Sequence, residues 1–233
     1  VLGLSQAIFA QEINLEQLDG QNLYYDQEFD VEMRLHSNGF ALGFNKGVYK
    51  TYYRTSFWHF DFGLLKHIKE YRQSNNPVIR VGESYRSFVY GKQNSFFILR
   101  GGKGLRHMFG EKAREKGVNV SFYGEFGPAL GFLKPYYLRV SKDNDEVVDI
   151  KYEDNPTQFL QRSSIIGSSS FGKGLNELKL RPGLQAQFAS QFEWNASSEG
   201  VSALDFGLML DYFFTDVPLM LIEENQSLFI NVY

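Results

Sequence analysis

The sequence predicts an all-β protein of eight antiparallel strands, and three observations support this fold class. Polar and apolar residues alternate with a period of two over long stretches, as expected when successive side chains of a strand point to opposite faces. Phe, Tyr and Gly are frequent, with 22, 14 and 22 residues among 233, whereas Pro occurs only 6 times. That composition favours strands and tight turns over helices. Clusters of Asn, Gly and charged residues separate the alternating stretches and predict turns.

The longest alternating stretch covers residues 177–194. Its apolar residues, such as Leu184 and Phe188, share one parity, and the other parity carries glutamines and charges. A strand in a globular protein usually has about 5–6 residues. A strand that crosses a bilayer at a tilt needs about 9–11 residues. This stretch is therefore long enough to cross a membrane.

The same alternation defines the other strands. The first of them is followed by Asn38 and Gly39, and an Asn-Gly pair between two alternating stretches is the strongest short signal for a hairpin. The predicted strands are residues 29–36, 40–45, 54–64, 95–107, 118–126, 177–194, 204–214 and 227–233.

The connections between these strands differ in length in a regular way. Residues 67–93 and 141–175 are predicted to be long irregular loops, the first with a local hairpin. The turns that alternate with them are short, including the charged turn at 111–117. Short turns on one side and long loops on the other are typical of outer-membrane barrels. The pattern thus predicts an up-and-down transmembrane β-barrel over residues 25–233 with a polar, filled lumen.

The two faces of the strands are predicted to meet different surroundings. The polar face would form a network of paired charges in the lumen, made by Asp30, Glu32, Arg34, His59, Asp61, Arg100, Glu125, Lys179, Arg181, Glu193, Asp205 and Asp211. The apolar face would contact lipid through Val31, Trp58, Phe60, Phe62, Val120, Phe122, Leu184, Phe188, Phe192, Phe206, Leu208 and Leu210.

Lys103 is the clear exception on the apolar face. A lysine costs about 2–4 kcal/mol at the bilayer midplane and roughly 0–1 near the interface, so Lys103 is predicted to lie near an interface. The alternative is a soluble lipocalin-like barrel, in which the apolar face would point inward and the polar face would meet water.

The N-terminus gives an indication of the compartment. Residues 1–10 are apolar with small residues and end abruptly before polar residues 11–14, which is typical of the last part of a secretory signal peptide. Residues 11–24 would then form an N-terminal periplasmic segment. The alternative is that residues 1–10 form an ordinary apolar strand or helix.

Three segments resemble those of a known family. Residues 90–96 (YGKQNSF), 131–137 (GFLKPYY) and 166–174 (IGSSSFGKG) are similar to segments of small eight-stranded outer-membrane β-barrels of Gram-negative bacteria. The resemblance is to a poorly characterised Bacteroidota family of PorT-like and OmpA-like barrels, covers most of residues 25–233, and implies a location in the bacterial outer membrane. The stretch 228–233 is shorter than the complete terminal strand of such barrels, so the strand is expected to continue beyond Tyr233.

The sequence gives little sign of chemistry. His59 and Asp61 share a parity, and a histidine oriented by a carboxylate can act as a general base, yet in a filled barrel such residues more often belong to an ionic network. The four histidines have no metal-ligand spacing, the chain has no Cys, and Gly101-Gly-Lys-Gly104 lacks the context of a phosphate-binding loop. No catalytic residue, metal or cofactor is predicted, and a net charge of −3 gives no indication of nucleic-acid binding.

The function predicted from these observations is binding. An eight-stranded barrel is filled by its own side chains and cannot conduct, so the loops and the outer surface are left to act. The chain is expected to be a non-enzymatic accessory or structural subunit of a larger outer-membrane complex for secretion, uptake or barrel assembly. Its partners would be outer-membrane lipid, lipopolysaccharide and other outer-membrane or periplasmic proteins. The alternatives are a free-standing structural and adhesion barrel, a lipid-modifying enzyme that uses His59 and Asp61, and a soluble ligand-binding barrel.

Overall fold

The structure is a computed structural model. It describes residues 6–9, 27–51, 53–74, 86–109, 118–142, 146–197, 200–221 and 223–233. The predicted periplasmic segment 11–24 and the charged turn 111–117 lie outside these ranges. Within the ranges, no helix is long and apolar enough to cross a membrane.

The chain is all-β and its sheets are antiparallel, as predicted. The main sheet has nine strands in the order β1-β2-β3-β4-β7-β8-β12-β13-β14. Their bounds are β1 (Gln6–Phe9), β2 (Gln27–His36), β3 (Gly39–Thr51), β4 (Arg54–Leu65), β7 (Asn94–Met108), β8 (Asn119–Pro135), β12 (Lys179–Ser197), β13 (Gly200–Val217) and β14 (Gln226–Val232). The smaller strands are β5 (Arg72–Gln73), β6 (Phe88–Val89), β9 (Leu138–Ser141), β10 (Val147–Ile150) and β11 (Ile165–Ser168).

The first strand has a partner on each side. In β1, Ala7 pairs with Val31 of β2 and Gln6 pairs with Ala203 of β13, and both pairings are antiparallel. The other end of β13 pairs with β14. Residues 6–9 therefore form a strand, which was the alternative to a signal peptide, and the signal peptide stays a prediction.

The last strand reaches the first hairpin. The backbone amide of Ser37 donates a hydrogen bond of 2.9 Å to the carbonyl of Val232, so the end of β14 contacts the turn after β2. Tyr233 exchanges two backbone hydrogen bonds of 3.0 Å with Gly207 of β13. We refer below to the end of the sheet with the β2–β3 hairpin as the loop end, and to the opposite end as the turn end.

Several strands are longer than the alternation predicts, and β8 shows why. The predicted strand 118–126 continues to Pro135. Beyond residue 126 the buried face carries Gly127, Ala129 and Leu133. Because the exposed face is apolar there as well, the alternation disappears from the sequence although the strand continues.

The interior is polar only in part, which corrects the prediction of a polar filled lumen. Towards the loop end the buried face carries a cluster that includes Phe96, Ile98, Phe213 and Phe229. The rings of Phe96 and Phe213 meet edge to face with centroids 5.0 Å apart. We call this cluster the apolar plug; it lies on the same parity as the charges further along the strands.

Gly131 makes room for the plug and offers a test of it. A Cβ at this position would lie 2.4 Å from the Phe96 ring, and overpacking of a core typically costs 1–3 kcal/mol. Gly131→Ala is therefore expected to lower the free energy of unfolding by about 1–3 kcal/mol, measured by urea titration. Gly172→Ala is the control, because nothing lies within 4 Å of a Cβ there; an equal effect of both substitutions would contradict the packing argument.

The predicted irregular loop at 141–175 is instead largely folded. Strands β9, β10 and β11 form a three-stranded sheet in the order β10-β9-β11, and a short helix α1 (Pro156–Leu160) follows β10. Phe88, Leu138, Val140, Phe159 and Ile165 form a separate apolar core. We call the described residues 66–74, 86–93, 136–142 and 146–178 the cap.

The cap could not be predicted from the sequence because its strands are short. Strands β9, β10 and β11 have only four residues each, and every residue of β10 is half-buried. A period of two cannot be recognised over so few residues. The segment 167–174, part of the predicted irregular loop, begins with the last two residues of β11.

Candidate functional site

The charges predicted to face the interior meet in a buried cluster between the apolar plug and the turn end. Arg100 of β7 is its centre. Its Nε and Nη2 donate to the two carboxylate oxygens of Asp211 at 2.7 and 2.9 Å, and its Nη1 donates to Asp61 Oδ1 at 2.9 Å. All three side chains are fully buried. A bidentate arginine–carboxylate pair is among the strongest hydrogen-bonded contacts in proteins.

A second arginine extends this cluster across the sheet. Arg34 of β2 donates to Asp61 Oδ2 at 3.2 Å and pairs with Glu32 on its own strand. Its guanidinium also lies 4.6 Å from the centre of the Tyr233 ring. Asp61 is thus shared by two arginines, which keeps its charge compensated in an interior where an unpaired carboxylate would be strongly unfavourable.

Nearer the turn end, Arg106 forms a third group that the sequence analysis did not include in the network. Its Nη1 lies 2.9 Å from Glu28 Oε1 and its Nη2 lies 3.4 Å from Asp30 Oδ2. Arg106 shares the parity of Arg100, and this signal could have identified it. Asn45 and Tyr123, also missed, contact Glu32 and Asp205.

Most of the predicted interior residues are buried, and the exceptions lie near strand ends. Asp30, Glu32, Arg34, His59, Asp61, Arg100, Glu125 and Asp211 are buried, and Arg181, Glu193 and Asp205 are half-buried. Lys179 does not belong to the network and corrects the prediction. It is the first residue of β12, beyond the apolar plug, and its Nζ contacts Glu153 of the cap at 2.6 Å.

His59 and Asp61 do come together, but in a sealed arrangement. His59 Nε2 lies 2.9 Å from Asp61 Oδ2 and its Nδ1 lies 2.5 Å from Asn45 Oδ1. Two acceptors on the two ring nitrogens require both nitrogens to carry protons. The gap beside His59, among Glu32, Arg34 and Tyr123, is too small for a water molecule. This pair therefore has neither a free lone pair nor access for a substrate.

The same group is also the strongest candidate for a metal among the described residues. One ligand atom from each of Glu32, His59 and Asp61 lies within 4.8 Å of the others. However, both carboxylates already pair with Arg34, and Asp61 also pairs with Arg100. Fixed cationic groups hold the positions that a cation would need, so the donor set does not fit a metal.

The opposite face of the sheet is apolar and exposed. Of the residues predicted to be on this face, Val120, Phe192 and Leu210 are half-buried and the others are exposed. The apolar residues of this face form rows across neighbouring strands, because the register places them opposite one another. One row consists of Met33, Leu42, Phe62, Leu99 and Leu130.

Lys103 also lies on this exposed face. Its Nζ sits 5.6 Å from the centre of the Trp58 ring, in the half of β7 nearer the turn end. A lysine over an aromatic face is stabilised by the ring quadrupole. Its predicted position at a membrane interface stays a prediction.

Ion pairs hold the cap together at its surface. Lys151 Nζ lies 2.5 Å from Glu177 Oε2, whose other oxygen accepts a hydrogen bond of 2.7 Å from the Tyr137 hydroxyl. Lys179 and Glu153 form the second pair, between β12 and the cap. Hydrogen bonds from Lys151 and Tyr137 lower the pKa of Glu177 below its ordinary value, and the hydrogen bond from Lys179 lowers the pKa of Glu153.

Acid is therefore expected to loosen the cap. A carboxylate whose pKa is lower in the folded protein stabilises it above the ordinary pKa, and this contribution disappears as pH falls through that range. Both glutamates have an ordinary pKa of 4.5, so amide-exchange protection of the cap should fall between pH 5 and 3, after correction for intrinsic rates. The double variant Glu153→Gln, Glu177→Gln should lose part of this pH dependence, and an unchanged profile would contradict the role of the pairs.

Comparisons of the chain with protein-family models, with curated proteins and with solved structures found no match. Any functional conclusion therefore depends on the geometry described above.

Proposed function

We propose that this chain is a non-enzymatic β-barrel of a Gram-negative outer membrane that acts as an accessory or structural subunit of a larger membrane complex. The observation that carries the proposal is the arrangement of the two faces: charged residues are buried and large apolar residues are exposed. A soluble protein rarely exposes a continuous apolar surface of more than a few hundred Å². A membrane barrel is expected to have this arrangement, with an apolar band outside and polar side chains inside.

Strand pairing supports closure of the sheet into a barrel. Strand β1 pairs with β2 on one side and with β13 on the other. The order of paired strands therefore returns to its start, and β1 has no unpaired edge. In the proposed barrel, β14 and β1 lie end to end beside β13. Together they occupy the position of one strand in an eight-stranded barrel. The hydrogen bond from Ser37 to Val232 connects β14 to β2 across the same seam. Closure removes the unpaired edge that lipid could not satisfy.

Strand length and interior packing agree with this proposal. Strands β3, β4, β7, β8, β12 and β13 have 12 to 19 residues, whereas about 9–11 are enough to cross a bilayer. The apolar plug and the arginine cluster fill the interior, so conduction is not proposed. The soluble lipocalin-like alternative requires the opposite orientation of the faces.

The role as a subunit that binds, and not as an enzyme, is supported by the cap and by the sealed His59–Asp61 pair. Loops on a rigid scaffold commonly carry recognition, and here the described parts of the two longest connections form a folded cap with its own apolar core. The lipid-modifying alternative needs an accessible base, and both nitrogens of His59 are already engaged.

Membrane insertion can be tested directly. The purified chain is refolded with phospholipid vesicles, and flotation through a density gradient and protease protection are measured. We expect the chain to float with the vesicles after a carbonate wash and its strands to resist protease. A monodisperse, fully folded protein in buffer without detergent would overturn the membrane proposal. For the accessory role, gentle extraction from the native membrane should give a complex on native gels, and a lone monomer would count against it.

A further inference from the structure

A recess lies between the cap and the loop end of the main sheet. Its volume is about 660 Å³, within the range of about 300–1,000 Å³ that is usual for small-molecule sites. It is separate from the buried cluster around Arg100. Six cationic side chains line it: Lys66, Arg72, Arg86, Lys92, Lys134 and Lys173.

The recess carries a strong excess of positive charge. Among the described residues that line it, Glu70 is the single carboxylate, and it already holds Lys92 at 2.5 Å. Burial lowers the pKa of Lys92; Glu70 opposes that shift, and repulsion from Lys66 and Arg72 adds to it. An anion in the recess would offset this repulsion.

Two of the lysines are held in fixed positions. Lys92 and Lys134 are buried. Lys134 Nζ donates to the carbonyl of Phe171 at 2.5 Å and lies 4.2 Å from the centre of that ring. Ser169 and Ser170 also line the same space. Ammonium and guanidinium groups together with a serine hydroxyl suit a tetrahedral oxyanion, which accepts several hydrogen bonds at once.

The recess opens where the exposed apolar face ends. Leu64 and Phe97 line the recess on the side of the main sheet, and they pair in register on adjacent strands. Phe97 stacks on Phe62 of the apolar face, with ring centroids 6.1 Å apart. A phosphate in the recess would therefore lie directly beside the surface along which we propose that lipid chains run.

We propose that this recess is a binding site for a phosphate-bearing anion. The phosphate oxygens accept hydrogen bonds from Lys66, Arg72 and Lys134, and the neighbouring apolar residues accommodate the group to which the phosphate is attached. A lipid headgroup and a free phosphate ester share this chemistry. Only the lipid source rests on the proposed membrane function; the phosphate site itself does not.

The test uses the full chain refolded in detergent micelles and in lipid nanodiscs. Calorimetry with glycerol 3-phosphate measures binding of a free ester, with glycerol and acetate as control probes. Native mass spectrometry of nanodiscs that contain phosphatidate and phosphatidylcholine measures retention of a phosphate headgroup. The variant is Lys66→Gln, Arg72→Gln, because both side chains are exposed and their loss should not disturb folding. The matched control is Lys50→Gln, Arg54→Gln, which removes the same charge at the turn end.

We expect glycerol 3-phosphate to bind, and the recess variant to bind it at least ten-fold more weakly while the control variant binds normally. Binding should also weaken with salt. Selective retention of phosphatidate in addition identifies a lipid as the source; binding of the ester without phosphatidate retention identifies a free phosphate. Equal loss of binding in both variants, or equal binding of acetate and glycerol 3-phosphate, would overturn the site. A chain that inserts into vesicles and binds neither phosphate probe overturns the site and leaves the membrane proposal intact.

Discussion

Replacing Arg100 with methionine is expected to destabilise the folded chain strongly. Arg100 makes three hydrogen bonds to Asp61 and Asp211, and none of the three side chains is exposed. Removal of one partner of a buried ion pair leaves an uncompensated charge and costs about 3–5 kcal/mol. Asp61 keeps Arg34 and His59 as partners, whereas Asp211 would be left with its charge uncompensated by arginine. The loss is a large part of the roughly 5–15 kcal/mol that separates folded from unfolded states.

Urea unfolding in detergent measures this effect, and three variants make the result specific. Arg100→Lys should be intermediate, because an ammonium keeps the charge but cannot form the bidentate pair. The double variant Arg100→Met, Asp211→Leu should regain most of the stability, since an apolar pair can replace a buried ion pair. Arg139→Met removes a partly exposed arginine of the cap, 3.6 Å from Asp149, and should cost less than about 1 kcal/mol. An unfolding midpoint of Arg100→Met equal to that of the native chain would refute the central role of Arg100.

The assignment of the two faces was predictable because it depends on a local rule. In β2, the alternation of residues 29–36 in the sequence and the alternation of burial in the structure coincide. Parity assigns every side chain of a straight strand to one of two faces, so Asp30 and Val31 could be separated without a structure. The same rule assigns Phe96 and Phe213 to the buried face, but it cannot show that they gather at one end as the apolar plug.

Contacts between distant segments could not be predicted in this way. The pairing of β1 with β13 joins residues more than half the chain apart, and the four residues of β1 carry too little pattern to specify a partner. Lys179 has the parity of an interior residue, yet it contacts Glu153 of the cap because β12 begins there beyond the plug. Its position depends on the fold of the cap, whose strands are too short to be predicted from the sequence.

The substitution Ile230→Arg is expected to distinguish the membrane barrel from the soluble alternative, because its effect on stability differs between lipid and water. Ile230 is exposed and lies in β14 opposite Leu210, in the middle of β13. In a bilayer an arginine on the lipid face near the midplane costs about 2–4 kcal/mol. On a soluble surface the same substitution usually changes stability by no more than about 0.5 kcal/mol. The measured quantity is the fraction of chain that folds into vesicles, with the free energy of unfolding in the same lipid.

Ile68→Arg is the matched control for this substitution. Ile68 is also an exposed isoleucine, but it lies in the cap, outside the main sheet. In the proposed barrel this position is outside the bilayer. We expect Ile230→Arg to insert poorly and Ile68→Arg to insert like the native chain. If both variants fold equally well in vesicles, the exposed apolar face does not meet lipid. In that case the same face would have to be covered by protein, and crosslinking from position 230 would identify what covers it.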